Sequence, residues 1–337
     1  MNIKRQILIL ALIFFCSFKL ISQAFEFSQF NSVNMLINPG NTGNHKYDWN
    51  FYNVLCNKHL IIDEVFKTIY VGGDYQFYIF PDKISVGAYL IHDKLVNSPL
   101  STNKYFFSFS YHKQINNHTI HIGIQPGFVV KSLNFAELTF PDQYDRNTGG
   151  FNNKLTTNEN PDNENLLYFD FNSGIVWEMQ IMNIKNEVGF SCSHLNRPNE
   201  SFYENKNQLN IDKTIYLKQK YLLEESIFIP QIIIFNNKEL TEYNVGALFI
   251  KGIRKKSYFI KSYSLGTYYR IRNNTYQNSF VIQSGISYYR LNLNLSYNFP
   301  IAVRNAKYGV IKSFEISLIF NGFNAQLDNI KIPCEIY

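Results

Sequence analysis

Apolar and polar residues alternate almost without error between Arg290 and Phe299. The apolar positions are Leu291, Leu293, Leu295, Tyr297 and Phe299, and the polar positions between them are Asn292, Asn294, Ser296 and Asn298. Successive side chains of a β-strand point to opposite faces, so this period of two predicts a strand with one apolar and one polar face. Such a strand fits a soluble sandwich, whose polar face meets water, or an outer-membrane barrel, whose apolar face meets lipid.

The same period recurs in other parts of the chain, in segments 104–112, 119–125, 166–177, 279–288 and 313–321. Their polar faces consist mainly of Gly, Ser, Asn and Gln, whereas a soluble sheet carries Lys and Glu on the face that meets water. We therefore predict an all-β fold, a single transmembrane antiparallel β-barrel of about 14 strands of about 9–11 residues each. A soluble secreted sandwich is the alternative fold.

Composition agrees with a barrel that has aromatic residues outside and small polar groups inside. Of the 337 residues, 17% are aromatic and another 17% are charged, and the mean hydropathy of −0.19 does not indicate a helical membrane protein. Aromatic girdles and a small-residue lumen are features of transmembrane barrels. The formal charge of +6 is mild and its residues are scattered, so we expect no nucleic-acid partner.

The first 24 residues have the three parts of a secretory signal. Lys4 and Arg5 form a basic start, residues 7–15 form an apolar run, and Ser22 and Ala24 are small residues before a plausible cleavage site. The apolar run is too short to cross a bilayer as a helix. We predict that 1–24 is a cleaved signal peptide and that 25–337 is one barrel domain in the cell outer membrane.

The predicted connections differ in length. Asn116-Asn117 and Asn273-Asn274 suggest tight hairpins, whereas 133–165 and 196–212 are long and rich in Asn and acidic residues. Short turns on one rim and long loops on the other are typical of outer-membrane barrels. The two long loops are the candidate surfaces for a partner. Pro230, inside the segment 226–236, predicts a bulge or a rim position.

Motifs of catalysis are absent from the sequence: there is no nucleophile elbow, phosphate loop, zincin motif or dinucleotide fingerprint. We expect no enzyme and no cofactor, although a hydrolase with scattered catalytic residues remains a third hypothesis. His118 and His121 are interpreted as turn and inward strand positions, and the mature cysteines Cys56, Cys192 and Cys334 have unrelated spacings. Oxygen-bearing loop residues lack the spacing of a calcium loop, so we predict a solvated loop there; these residues are Asp142, Asp145, Asn147, Asp162 and Glu164.

Asp170 and Glu315 each interrupt an inward face that is otherwise neutral. We expect these carboxylates to brace the wall by pairing with basic groups inside the barrel, such as Arg270 or Arg290. Contact with a client or with a plug is the second interpretation of the two carboxylates.

Several short segments, in this order, resemble the PorP/SprF family of the type IX secretion system, found in the Bacteroidetes. They are Phe27-Ser28-Gln29-Phe30 with Asn38-Pro39-Gly40-Asn41-Thr42-Gly43, Phe140-Pro141-Asp142-Gln143, Phe169-Asp170-Phe171-Asn172-Ser173-Gly174, His194-Leu195 with Pro198, Ser313-Phe314-Glu315-Ile316-Ser317-Leu318, and Ile332-Pro333-Cys334. Gly40 stands where the family has Ala, and only Trp49 matches the family's early Arg-x-Gln-Trp strand motif. The C-terminal residues are Glu335-Ile336-Tyr337. These departures leave the subgroup open.

The resemblance implies a non-catalytic outer-membrane barrel that serves secretion or surface retention of large proteins, in some members for gliding motility. The implied partners are a large adhesin-like client with a type B C-terminal domain, a periplasmic peptidoglycan-binding protein and outer-membrane lipid. A passive channel or hydrophobic-solute transporter is the alternative function. The implied family-motif or partner-contact residues are Asn38, Pro39, Gly43, Phe140, Pro141, Asp142, Gln143, Asp170, Asn172, Gly174, Glu315, Pro333 and Cys334.

Overall fold

The computed structural model describes residues 27–59, 65–79, 82–96, 98–135, 138–145, 148–152, 155, 157, 164–203, 206–238, 240–253, 260–273, 277–303 and 312–323. The predicted signal peptide 1–24 lies outside these residues, as do Asn147, Asp162, Pro333 and Cys334.

Fourteen antiparallel strands close into one barrel, which confirms the predicted fold class. Each barrel strand pairs with the next barrel strand along the chain, and the last pairs with the first. The barrel strands are β1 Trp49–His59, β2 Val65–Ile79, β3 Asp82–Leu95, β4 Leu100–Ile115, β5 His118–Leu133, β8 Asn165–Ile181, β9 Ile184–Ser193, β10 Asp212–Leu222, β11 Ser226–Asn236, β12 Thr241–Gly252, β13 Ile260–Arg272, β14 Gln277–Tyr288, β15 Leu291–Val303 and β16 Lys312–Gly322. Two short strands, β6 Tyr144–Asp145 and β7 Gly150–Phe151, form a separate hairpin in the loop after β5.

The barrel closes through a continuous pairing of β1 with β16. The register runs over 11 residue pairs, from Trp49 opposite Gly322 to His59 opposite Lys312. The barrel strands contain 10 to 17 residues, so several are longer than the sequence pattern predicts. Because every barrel strand has a partner on both sides, the wall presents no free strand edge.

The two faces of the wall follow the predicted alternation. Phe107, Ile122 and Leu265 are about half exposed on the outside, while Ser108 and Gln125 are buried on the inside. This arrangement places apolar side chains toward lipid and small polar side chains toward the lumen. Among the described residues, no helix is long and apolar enough to span a membrane.

Pro230 lies in the middle of β11, so the predicted bulge or rim position is wrong. It stands opposite Ala247 in an unbroken register with β12. On the other side, the pairing with β10 is interrupted between Gln231 and Phe228, and the register is the same before and after the gap. Proline has no N–H to donate, so it removes a ladder bond while the strand stays in register.

Short turns and long loops lie at opposite ends of the barrel. The end that we call the turn rim carries the start of β1, the end of β16, the connections 116–117, 182–183, 223–225 and 289–290, and also Ile79, Asp82 and Ile253. Asn116 and Met182 have positive φ angles of 54° and 49°, as two-residue hairpins require. The opposite end, the loop rim, carries loops 134–164 and 194–211 and also Asn273, which begins the connection 273–276. In outer-membrane barrels the short turns face the periplasm and the long loops lie at the extracellular end.

Candidate functional site

The lumen of the barrel is filled by the chain that precedes β1. Residues 27–44, which we call the plug, fold into short turns at Phe30–Ser32, Asn34–Ile37 and Pro39–Asn41. The plug's buried apolar side chains form one cluster with inward residues of the wall; the plug members are Phe27, Phe30, Val33, Met35 and Ile37. The wall contributes Tyr52, Tyr70, Tyr89 and Phe106. The plug, which has no strand of its own, therefore supplies a core to the lumen.

Asn38 fixes the middle of the plug to the backbone of the wall. Its Nδ2 donates to the carbonyl oxygens of Ile175 and Phe190, each at 3.1 Å, and its Oδ1 accepts a bond from the N–H of Gly40 at 2.8 Å. A Cβ added to Gly174 would overlap the Asn38 side chain. The amide thus occupies a notch in the wall that exists because position 174 has no side chain.

Pro39 occupies a second notch of the same kind. A Cβ added to Gly123 of β5 would overlap the Pro39 backbone, including its carbonyl group. Just beyond it, the hydroxyl groups of Thr42 and Ser108 lie 2.6 Å apart, and the Ser110 hydroxyl donates to the carbonyl of Gly40 at 3.2 Å. The motif Asn-Pro-Gly-Asn-Thr-Gly is therefore a docking segment that fits glycine and serine positions of the wall.

Gly43 turns the chain from the plug toward the turn rim. Its φ angle is +66°, a conformation that glycine adopts without steric cost, and its N–H donates to Asp74 Oδ2 at 2.8 Å. The other carboxylate oxygen of Asp74 lies 2.9 Å from Nε2 of His45. Asp74 therefore fixes the exit of the plug into β1, a role that the sequence analysis did not predict.

Glu315 holds the beginning of the plug. Its two carboxylate oxygens accept bonds from the N–H groups of Ser28 at 2.7 Å and Gln29 at 3.1 Å, and its side chain is fully buried. The predicted pairing of Glu315 with Arg270 or Arg290 is wrong. Arg270 instead pairs with Glu242, with Nε and Oε1 3.1 Å apart, and donates to the Phe27 carbonyl at 3.2 Å. Backbone amides of the plug take the place of the expected basic partner.

Asp170 also has a different partner from the predicted arginines. Its Oδ2 lies 2.7 Å from Nδ1 of His194, the residue that begins the loop 194–211. The N–H of His194 donates to Asn172 Oδ1 at 3.1 Å, so two residues of β8 hold the same loop residue. The Asp170 carboxylate therefore anchors loop 194–211 and does not brace the wall against Arg270 or Arg290.

Asn172 also connects this loop anchor to the plug. Its Nδ2 donates to Gln125 Oε1 at 3.0 Å, and Gln125 Nε2 donates to the carbonyl of Met35 at 3.1 Å. A continuous chain of hydrogen bonds thus runs from the start of loop 194–211 to the plug. Gln125 completes this chain, although the sequence analysis did not single it out as a site residue.

Phe140, Pro141, Asp142 and Gln143 lie apart from the plug, in the long loop above the rim. Pro141–Gln143 forms a 3-10 turn. The buried Gln143 accepts a bond from the Phe140 N–H at 3.1 Å and donates to the Leu155 carbonyl at 3.0 Å, while Asp142 is exposed. This motif shapes loop 134–164 and supports the hairpin β6–β7 beside it.

The histidine pair singled out in the sequence does not form a metal site. His121 is buried inside the barrel, whereas His118 stacks on Trp177 outside, with the ring centroids 5.7 Å apart. Within the described part of the chain, no group of three or more His, Cys, Asp and Glu residues is placed to hold a metal. Cys56 and Cys192 are free thiols.

The structure thus unites five of the eleven described motif residues at the plug, while the other six shape or anchor the two long loops. Asn38, Pro39 and Gly43 belong to it, and Gly174 and Glu315 contact it directly. The sequence does contain a signal for this plug: glycines on inward strand positions such as Gly123 indicate the close approach of another backbone.

Comparisons with known proteins agree with this architecture. The family model described as the type IX secretion system membrane protein PorP/SprF matches residues 20–320. Among solved structures, the CymD monoaromatic hydrocarbon channel is 10% identical with a TM-score of 0.50, and the match covers 86% of this chain and 92% of that one. The Ralstonia pickettii toluene transporter TbuX is 8% identical with a TM-score of 0.49, covering 86% and 93%. No curated protein matches the sequence.

Proposed function

Because the chain belongs to the PorP/SprF family of type IX secretion system membrane proteins, we propose that it is a non-enzymatic barrel of the outer membrane that binds a large secreted client. The client is an adhesin-like protein with a type B C-terminal domain, and the barrel supports its secretion or its retention at the cell surface. The presence of the plug in the lumen is the observation that supports this proposal most directly. With residues 27–44 packed in the lumen, the surface that a secreted client can reach is formed by the loops at the extracellular end.

The closed wall further limits how a client can bind. A client strand could add to the barrel only by opening the 11 residue pairs between β1 and β16 or another such ladder. A client segment could enter the lumen only by displacing the plug from its hydrogen bonds to Glu315, Ile175 and Phe190. Both routes cost several hydrogen bonds, each of which contributes about 0.5–1.5 kcal/mol. Binding at the loop rim incurs neither cost.

The hairpin β6–β7 in loop 134–164 is the preferred docking element. It is a two-stranded sheet whose outer edges have no strand partner among the described residues, so an extended client segment can add to it by backbone pairing. Tyr144 and Phe151 lie opposite each other with ring centroids 5.4 Å apart, and they are 46% and 57% exposed. Exposed aromatic pairs of this kind are typical anchors of protein interfaces.

The turn rim offers a separate surface for a periplasmic partner, for which a peptidoglycan-binding protein is our candidate. A polar cavity of about 360 Å³ opens there, with Asn116, Asn117, Gln180 and Lys185 in its lining. Amide side chains present both donors and acceptors, which suits a peptide backbone or a glycan. The two partners would then bind at opposite ends of the barrel.

The test is a mild-detergent purification of the tagged protein from the outer membrane of its native host, with mass spectrometry of bound proteins. The double variant Tyr144→Ser/Phe151→Ser removes the aromatic pair of the hairpin, and Tyr289→Ser is the control at the turn rim, where Tyr289 is 60% exposed. We expect a large secreted type IX protein with the wild type and the control, and about tenfold less with the double variant, as the loss of an interface anchor predicts. A barrel without this client, even after crosslinking, would contradict the proposal.

The second candidate function is a passive channel or a transporter of hydrophobic solutes. The observation in its favour is the fold that the chain shares with the CymD monoaromatic hydrocarbon channel. At 10% sequence identity, this similarity supports a common fold alone. The packing of Phe27, Phe30 and Met35 against the wall counts against an open path through the lumen. Conductance measurements separate the two functions.

A further inference from the structure

Two lysines stand directly opposite each other on the outer face of the wall, close to the loop rim. Lys67 of β2 pairs in register with Lys94 of β3, and both side chains are exposed. Their sequence neighbours Thr68 and Asp93 point into the barrel, where the Thr68 hydroxyl donates to Asp93 Oδ1 at 2.5 Å. The lysines therefore lie on the lipid-facing side. Like charges directly opposite each other in a sheet destabilise the pairing.

The repulsion is not relieved by an ion pair within the described part of the chain. The described salt bridges involve other lysines, and the nearest carboxylate on these strands, Asp93, faces the lumen. Two cations that stand opposite each other without an anion form the arrangement that a phosphate group would stabilise.

The surroundings of the two lysines are rich in hydrogen-bond donors. Ser101 of β4 pairs in register with Lys94, and Asn57 of β1 pairs with Lys67, so the polar row extends on both sides. At the next outward position of β3, His92 Nδ1 lies 2.7 Å from the side-chain oxygen of Asn103. The row thus combines two ammonium groups with a hydroxyl and an amide, which together can bind several oxygens of one phosphate.

Below this row and the His92–Asn103 pair, in the direction of the turn rim, the wall is apolar. The outward residues on the same strands and on β4 are Ile69, Val71, Leu90 and Tyr105. Two residues along a strand correspond to roughly 6.5 Å. A single amphiphile could therefore place its anionic headgroup on the lysines and its acyl chains along the apolar wall. Because the loop rim is the extracellular end, this amphiphile belongs to the outer leaflet.

We propose that Lys67 and Lys94, with Ser101, form a binding site for a phosphorylated glycolipid of the outer leaflet. The two ammonium groups bind the phosphate from adjacent strands, and the Ser101 hydroxyl donates a further bond. The bound anion turns the cross-strand repulsion into an attraction and fixes a lipid beside the first three strands of the barrel. This inference is independent of the identity of the client.

The experiment compares lipid bound to the wild type, to Lys67→Gln/Lys94→Gln and to the control Lys213→Gln/Lys312→Gln. The control removes two exposed lysines near the loop rim that stand opposite Cys192 and His59, so neither faces another lysine across a strand pair. Each protein is purified in mild detergent and its bound glycolipid is measured by native mass spectrometry. We expect the double variant to retain about tenfold less glycolipid, since a lost charge-assisted contact weakens binding by roughly that factor. The control should retain as much as the wild type.

A second measurement identifies the source of the phosphate. Purified barrel is heated with lipid A, with lipid A from which the phosphates were removed, with phosphatidylglycerol or with inorganic phosphate. We expect intact lipid A alone among these ligands to raise the unfolding temperature of the wild type. Intact lipid A should not raise the unfolding temperature of the double variant. Equal glycolipid retention by the double variant, or equal stabilisation by phosphatidylglycerol or inorganic phosphate, would overturn the proposal. The double variant should fold, because it loses the repulsion between Lys67 and Lys94. If it does not fold, the single variants Lys67→Gln and Lys94→Gln are measured in its place.

Discussion

Asn38 of the plug occupies the space that a side chain at Gly174 of β8 would need, and its amide donates to wall carbonyls on both β8 and β9. The contact is reciprocal, because the wall residue must be glycine and the plug residue must be a short amide. Two segments that are distant in the sequence, and that both resemble family motifs, are therefore parts of one packing interface.

Gly174→Ala is expected to loosen the plug and lower the stability of the barrel. The new methyl group would overlap the Asn38 side chain, and overpacking of this kind costs about 1–3 kcal/mol. Thermal unfolding of the purified barrel in detergent measures the loss. Gly150→Ala is the matched control, because an added Cβ there meets nothing within 4 Å. Equal unfolding temperatures for the two variants would show that the notch is not tight.

Asn38→Asp keeps the shape of the side chain and replaces the donor by an acceptor. The two carbonyls of Ile175 and Phe190 would then face a carboxylate oxygen, and leaving such groups unpaired costs about 1–3 kcal/mol. Hydrogen exchange of residues 27–44, followed by mass spectrometry, should become faster. Asn34→Asp, at a half-buried plug position, is the control and should leave the exchange of this segment unchanged.

Glu315→Gln tests whether the carboxylate holds the beginning of the plug. A neutral amide has one acceptor oxygen for the two N–H groups of Ser28 and Gln29, and its NH₂ faces the other. Exchange at residues 27–32 should rise about tenfold, which corresponds to roughly 1.4 kcal/mol for a lost charge-assisted bond. The strand pairing of β16 does not depend on this side chain, so the barrel itself should stay folded.

The control for that change is Glu225→Gln at the turn rim, which removes an ion pair with Lys251 of 3.0 Å. It should leave exchange at residues 27–32 as it is in the wild type. Should Glu315→Gln give the same exchange as this control, the plug would be held by contacts other than the carboxylate.

Gln143→Ala is expected to disorganise loop 134–164 without changing the barrel. It removes the bonds to the Phe140 N–H and to the Leu155 carbonyl that shape the loop. Limited proteolysis should cut the loop faster, client binding should fall, and the unfolding temperature should not move. Thr148→Ala, which removes only a long 3.5 Å contact to the Asp145 carbonyl, is the control. Unchanged proteolysis of the Gln143 variant would mean that other contacts hold the hairpin.

The alternation of residues was sufficient to predict the barrel and the orientation of its faces. Leu293, Leu295 and Phe299 of β15 are exposed and Ser296 and Asn298 are buried, as the period of two requires. The positions of the two long loops follow from the same reasoning, since strands that alternate in direction place every second connection on the same rim. The faces of the strands and the positions of the long loops depend on the local sequence, so they can be predicted from one sequence alone.

The plug could not be predicted in the same way. Its turns have no repeating period, and its contacts join Ser28 to Glu315 and Asn38 to Ile175, across most of the chain. The charges of the lumen were predicted to pair with arginines because charged partners are the usual solution. Backbone amides of the plug, which carry no sequence signal, took that place at Glu315. Inward glycines are the one local feature that indicated a backbone inside the barrel.

The central claim is that the plug closes the lumen and leaves client binding to the loop rim. Single-channel conductance in planar bilayers tests it most directly, with wild-type protein compared with a variant that lacks residues 27–44. Gly174→Val serves as a second variant in which the plug stays in the chain but no longer fits. We predict no steady conductance for the wild type and open channels for both variants. Steady wild-type conductance equal to that of the variants would contradict the claim and favour the channel function.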